Sequence, residues 1–298
     1  LALGVKNQIN YFLRRLGNSQ GSVPQAVRAV IIDANGYMEN FASGTGSALG
    51  DRLYDGTHPA MIGAYNLALP HAAELNKRFA AKGRAVSNAD LYDAALNPTG
   101  CLNANPALTG TAGLLVANTG ITPVGQVSTG YKAYRGAGTA PQASVTFNCY
   151  KENPRTDGPA SGERQGIAVN ITGVGSSAET YIFQPTTNPS QAPAIAPGSL
   201  VELVCDVEFV SKPVNLAGLE LQMAEVGPAT PHQAVGMNRQ VGFLMPSVAV
   251  AGRLKTPPFR LQSGVTAVSS YVRMVFDATS GAASGEIKLS NYEMRPVV

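Results

Sequence analysis

From Ala143 to the C-terminus the apolar residues fall on alternate positions, and that period of two constrains the fold more than any other feature of the chain. It runs through SVTFNCY (144–150), GIAVNITGV (166–174), SLVELVCDVEFV (199–210) and LAGLELQMAEV (216–226). It continues in YVRMVFDA (271–278) and GEIKLSNYEMRPV (285–297). Alternation places one side of each segment in a core and the other in water, which a helix cannot do. Pro, Gly and Asn clusters between the runs supply turns. Short alternating strands closed by such turns predict an antiparallel β-sandwich of jelly-roll type over residues 142–298.

The N-terminal third follows a different period. Val5, Ile9, Phe12, Leu13 and Leu16 recur at helical spacing, Gly17 is placed to end the helix, and Arg14 and Arg15 lie in its last turn. VRAVIID (27–33) is β-branched and apolar on both faces, as a buried parallel strand is. A Gly/Ser-rich loop (35–50) leads to a helix that Pro59 can start, carried by Ile62, Tyr65, Leu67 and Leu69 until Pro70 kinks or restarts it toward Ala73–Phe79. Helix, strand, loop, helix is the closing part of a doubly wound α/β domain. One strand makes no sheet, so residues 1–96 are expected to be the C-terminal portion of a domain whose other strands lie upstream of Leu1 or on another chain. Between the two patterns, NPTG, NANPALTGTAG and NTGITPVG are turn-forming, and 97–141 is expected to be a linker.

Composition excludes several partners. Charged residues are 14% of the chain, the formal net charge is +3, and no dense Lys/Arg run exists, so no nucleic acid is expected. No apolar window is long enough to span a membrane, and LALGVKNQINYFLRRLG is not a signal peptide. Cys101, Cys149 and Cys205 show no C-x-x-C spacing, so no metal is expected on sulfur. A Cys149–Cys205 bridge and buried free thiols both remain open.

The stretch DGTHPAMIGAYNLA (55–68) carries the candidate chemistry. Asp55 and His58 sit on one tight turn: a carboxylate there can hold an imidazole in the tautomer that accepts a hydroxyl proton. Gly56 permits the turn and Pro59 starts the helix that holds it. The alternative is local, with Asp55 a turn or cap residue and His58 a surface group. His71 and His232 have no acidic neighbour in sequence and read as ordinary histidines.

DGTHPAMIGAYNLA resembles the last conserved block of the SGNH (GDSL-like) hydrolases, D-G-x-H-P-x-x-x-G-x-x-x-x-A, with Asp55, Gly56, His58, Pro59, Gly63 and Ala68 matching. The resemblance covers residues 1–85 and implies a serine esterase in which His58 is the base and Asp55 its orienting partner, with no metal or organic cofactor. The family's G-D-S and G-x-N-D blocks are missing, and Gly17–Ser19 (GNS) follows a helix, so Ser19 is poorly placed as nucleophile. Asp33 ends the buried strand and is placed for a supporting polar role. The layout of a hydrolase remnant, a Gly-rich stretch and a sandwich is similar to phage tail proteins that join an esterase to a carbohydrate-binding jelly roll. It implies a virion or extracellular setting, O-acyl ester hydrolysis on a bacterial surface polysaccharide, and partners among that glycan, an upstream hydrolase segment or other virion proteins, with a homotrimer possible. The alternative is a non-catalytic virion or adhesion protein that binds glycan. Trp is absent, so a stacking platform must come from Tyr131, Tyr134, Tyr150, Tyr181, Tyr271 or Tyr292, each of which could serve burial instead.

Overall fold

The computed structural model describes residues 67–71, 86–117, 121–138, 144–156, 162–186, 195–235 and 251–297. The chain divides into two compact units, Leu1–Gly83 and Arg84–Val298. In the first, residues 67–71 are helical, within the helix expected there. The strand 27–33, the loop 35–50 and the remainder of the expected α/β portion lie outside the described residues.

The second unit is a β-sandwich. Its six-stranded sheet has the order β1 (Ala112–Val116), β3 (Val127–Ala137), β6 (Glu179–Pro185), β12 (Ala267–Phe276), β8 (Leu216–Val226), β9 (Gln233–Val235). The seven-stranded sheet runs β10 (Ala251–Lys255), β7 (Leu200–Phe209), β13 (Ala283–Val297), β5 (Arg164–Ile171), β4 (Val145–Glu152), β2 (Val124–Gly125), with β11 (Phe259–Arg260) also paired to β7. Pairing is antiparallel except for β1 with β3 and β2 with β4. The last two long strands occupy the middle of their sheets, β12 between β6 and β8 and β13 between β7 and β5. Neither sheet is continuous until the C-terminal thirty residues are in place, an arrangement of high contact order.

Alternation builds the core. On β7 the buried set is Val201, Leu203, Cys205, Val207 and Phe209, and on β12 it is Val268, Val272, Met274 and Phe276. Aromatic rings fill the space between sheets: Tyr131 stacks on Phe183 at 4.8 Å between centroids and meets Tyr292 edge-on at 5.5 Å, while Tyr181 packs against Phe147 and Phe276. Among the described residues the most deeply buried ion pair is Arg135 with Glu179, 2% and 0% exposed, joined through Nε at 2.8 Å and Nη2 at 2.7 Å.

The expected linker is corrected by this unit. Within 97–141, β1 and β3 belong to the six-stranded sheet and β2 to the other, and residues 86–96 fall with the sandwich, not with the preceding unit. The reason lies in buried asparagines. A bulge between Ser290 and Glu293 releases the end of β13 from β5, and the segment around Asn103 takes its place. Asn103 Nδ2 donates to the Tyr292 carbonyl (2.6 Å) and to the Tyr131 hydroxyl (2.9 Å), while its Oδ1 accepts from the Met294 amide (2.9 Å). Asn105 closes the next turn through Thr109 and Thr129. Buried backbone groups need partners, and these amides supply them.

The thiols are free. Cys149 on β4 and Cys205 on β7 are separated by β5 and β13, three strand spacings or roughly 14 Å, too far for a disulfide. Cys101 is buried as well. Burial pushes the Cys149 thiol up to about 12 and the Cys205 thiol also upward. No helix among the described residues is long and apolar enough to cross a membrane.

Candidate functional site

The outward side of the seven-stranded sheet carries the polar half of the alternation. Register aligns Tyr150, Gly166 and Lys288 across β4, β5 and β13, and Lys288 with Glu208 on β7. One row on, Glu152 faces Arg164, and Ser290 faces Asp206, which faces Arg253 on β10.

Gly166 shapes the centre. A β-carbon built there would lie closer than 3.0 Å to Cζ, Cε1 and Cε2 of Tyr150, almost equally to all three, so the phenol lies face-down on the bare backbone. Its hydroxyl crosses β5 to donate to Glu286 of β13. Beside it Lys288 crosses in the opposite direction, its Nζ 2.5 Å from Glu152 Oε2. The second face of the ring therefore points away from the sheet. Burial and the bond to Glu286 push the Tyr150 hydroxyl upward, so it stays a neutral donor.

On the same face, toward β7 and β10, is a pocket of about 310 Å³ lined by Arg164, Asp206, Glu208, Arg253, Lys288 and Ser290. Its charges alternate and are held in pairs. Arg253 forks onto Asp206, Nε to Oδ1 at 2.7 Å and Nη2 to Oδ2 at 3.1 Å, and remains 45% exposed. Asn291, in left-handed conformation at φ 52° within the β13 bulge, donates to the same carboxylate. Arg155 fixes the bulge by donating to Asn291 Oδ1 and Ser290 Oγ, both at 3.1 Å. Bulges re-aim side chains in this way, and Asn tolerates the left-handed region better than most residues. Arg164 is buried between Glu152 and Glu208. Burial raises the Glu152 carboxyl, but hydrogen bonds from Lys288 and Thr156 and the charge of Arg164 outweigh it and hold the group at about 2. The result is a fixed set of donors and acceptors of both signs, reachable from solvent, on the face that also carries the Tyr150 ring. Among the described residues no cluster of three or more His, Cys, Asp or Glu is arranged to hold a metal.

Asp55 and His58, with Ser19 and Asp33, lie outside the described residues. His71 is exposed and its Nδ1 is 2.7 Å from the Leu67 carbonyl. His232 is half-exposed, its amide donating to Glu225 at 2.8 Å. The six candidate tyrosines divide evenly. Tyr131, Tyr181 and Tyr292 are core residues, whereas Tyr134, Tyr150 and Tyr271 keep partial exposure on the outer faces. Sequence reasoning missed Arg164, Asp206, Glu208, Arg253 and Lys288. The available signal was their polar phase within alternating strands, together with Gly166 inside an apolar run.

No protein-family model matches the chain, and no curated protein matches it in sequence. Solved structures that it resembles include carbohydrate-binding modules of β-sandwich fold. One, from a study of promiscuous specificity in such modules, is 9% identical over 55% of this chain and 56% of that chain, with a TM-score of 0.34. A xylan-binding domain of family CBM 22 is 12% identical over 55% of this chain and 97% of that one, TM-score 0.30. A Stig cyclase from Fischerella sp. TAU is 9% identical over 72% and 96%, TM-score 0.29. At these scores the likeness assigns neither ligand nor activity to this chain.

Proposed function

We propose that the chain is a glycan-binding protein whose site is the outer face of the seven-stranded sheet. The observation that carries this is the Tyr150 ring laid flat on Gly166, on the same face as the Arg253–Asp206 fork and two strand spacings, roughly 10 Å, across the sheet from Asp206. A pyranose has an apolar C–H face and a rim of hydroxyls that both donate and accept. It needs an aromatic plane next to fixed groups of both kinds, and this face supplies them. Asp206 accepts, Arg253 and Lys288 donate, and the protein's own ion pairs orient these groups, which lowers the ordering cost of binding. At about 310 Å³ the pocket is at the small end of ligand sites and suits one or two sugar rings. A bacterial surface polysaccharide, met by a virion or another extracellular particle, is the ligand source this reading favours. The test is a microarray of bacterial and plant glycans probed with the labelled full chain. Binding of defined glycans that Tyr150→Ala abolishes supports the reading, and an array with no signal above a non-binding control rejects it.

A second reading keeps His58 as the base and Asp55 as its orienting carboxylate in an ester hydrolase, on the strength of the D-G-x-H-P block. It requires a serine from outside this sequence. Release of p-nitrophenol from its acetate by the protein, lost in His58→Ala, would support it. Equal turnover by the variant would dismiss it.

A further inference from the structure

The Asp206–Arg253 fork is braced by a residue that does not itself line the pocket. Arg155 lies in the connection between β4 and β5, and its guanidinium reaches the β13 bulge, where Nη1 donates to Asn291 Oδ1 and Nη2 to Ser290 Oγ. Gly162, at φ 84°, brings the returning connection alongside, so that a β-carbon there would lie 3.5 Å from the same Nη1. Asn291 and Ser290 are buried, 8% and 2% exposed, so their side chains depend on protein partners and not on bulk water. From Asn291 the line of hydrogen bonds continues outward. Its Nδ2 donates to Asp206 Oδ2, which also accepts from Arg253 Nη2, while Asp206 Oδ1 accepts from Arg253 Nε. Four separate parts of the fold, the β4–β5 connection, β13, β7 and β10, are thereby joined in one row of side chains.

We infer that Arg155 is a positioning residue for the sugar site: it sets the direction of the Asn291 amide, and through it the acceptor that Asp206 presents. The two ends of an asparagine amide have nearly the same shape and opposite roles, so its surroundings decide which way it points. A guanidinium can only donate and an ionised carboxylate can only accept. Arg155 on one side therefore takes Oδ1, and Asp206 on the other takes Nδ2. The left-handed backbone at Asn291, φ 52°, holds the amide between them. Turning the amide over would set donor against donor at Arg155 and acceptor against acceptor at Asp206. The ligand meets the consequence at Asp206. An ionised carboxylate has about four acceptor positions, and on Asp206 the two bonds to Oδ2 and the one to Oδ1 leave a single position, on Oδ1, for a sugar hydroxyl. With the amide reversed, Oδ2 loses a donor and gains a repelling oxygen, and the fork with Arg253 opens. The role in binding rests on the glycan reading, whereas the direction of the amide and the closure of the fork are properties of the protein without sugar.

The experiment is nuclear magnetic resonance of the isotope-labelled full chain without sugar, following the Asn291 side-chain amide and the Arg253 Nε–H, beside a thermal melt. The same proteins then go onto the microarray of bacterial and plant glycans. Arg155→Lys keeps a donor, Arg155→Met removes it, and Arg155→Glu offers only an acceptor, which invites Nδ2 and reverses the amide. The expected result is that both signals stay near their wild-type positions in Arg155→Lys, move in Arg155→Met and move furthest in Arg155→Glu. Array binding should fall in the same order, by about tenfold in Arg155→Met, as for one hydrogen bond lost from a charged group. Should Arg155→Glu fail to fold, Asn291→Asp serves instead: its carboxylate satisfies Arg155 but has no donor for Asp206, so the Arg253 signal should move with Arg155 intact. Unmoved signals in Arg155→Met overturn the inference, whatever the array shows. So does array binding that follows Tm alone, with Arg155→Lys as impaired as Arg155→Met, because Arg155 would then be a structural brace and no more. Signals that move as expected in a protein that binds no glycan uphold the control of the amide by Arg155 and reject the glycan reading.

Discussion

Gly166→Ala tests how the site is built, because it changes no residue that would touch ligand. The added β-carbon lies closer than 3.0 Å to three ring carbons of Tyr150, and such contacts are not tolerated, so the phenol must lift off the sheet. Its outward face then no longer lies flat along the sheet, and a sugar stacked on it is displaced. Roughly 70 Å² of ring face at about 25 cal/mol per Å² is worth about 1.8 kcal/mol of stacking. At 1.4 kcal/mol per tenfold, that is about a twentyfold loss of affinity. The fold should tolerate the change. Alanine in a strand gains about 0.5–1 kcal/mol over glycine, against about 1.5–3 kcal/mol for the severed hydrogen bond to Glu286. The net is about 1–2 kcal/mol, a fall in Tm of roughly 2–8 °C for a unit of this size. Calorimetric titration with an array-selected glycan, beside a thermal melt, measures both quantities. Tyr150→Phe, which keeps the ring, should lose far less affinity. Unchanged affinity and unchanged Tm in Gly166→Ala would refute the placement of the ring.

Three further outcomes follow from the same structure. Arg135→Met leaves the buried Glu179 carboxylate uncompensated and should cost about 3–5 kcal/mol, lowering Tm by roughly 6–20 °C, with partial recovery in Arg135→Met/Glu179→Gln; a drop under about 2 °C would contradict the pair's burial. Glu152 is held at about 2 in the fold against an ordinary 4.5, so its contribution is fully present above 4.5 and is lost as pH falls toward 2. Thermal melts across that window should therefore decline more steeply for wild type than for Glu152→Gln. Because the three cysteines are free and buried, a thiol reagent such as DTNB should leave the native protein unmodified at pH 8 and titrate three thiols after denaturation; fast native-state labelling would show the core to be open.

Much of the sandwich was legible because alternation survives where a strand has one wet face. LAGLELQMAEV coincides with β8, and the runs at 144–150, 199–210 and 285–297 fall on β4, β7 and β13. β3 was not legible: Gly130 and Gly136 interrupt it, and the NTGITPVG stretch (118–125) before it speaks for turns. Nor could local sequence show that Asn103 and Asn105 are buried, since an asparagine that completes a distant backbone ladder reads the same as one in a loop. The site was legible as a list of polar positions but not as a place. Arg164, Asp206, Arg253 and Lys288 come from four strands that only the order β10-β7-β13-β5 makes neighbours. Among the tyrosines, phase within the strand decides. Tyr150 is one residue from the buried Cys149 and so faces out, whereas Tyr292, beyond the bulge, is returned to the core. The Asp55–His58 turn remains a feature of the sequence, outside the described residues.

The most direct test is a titration of wild type and Tyr150→Ala/Arg253→Ala with the same array-selected glycan, followed by nuclear magnetic resonance of arginine side chains. Saturable binding that shifts the Arg253 Nε–H signal, and loss of at least a hundredfold in affinity in the folded double variant, is the predicted result. Undiminished binding by that variant, or saturation that leaves the Arg253 signal unmoved, would contradict a glycan site on the seven-stranded sheet.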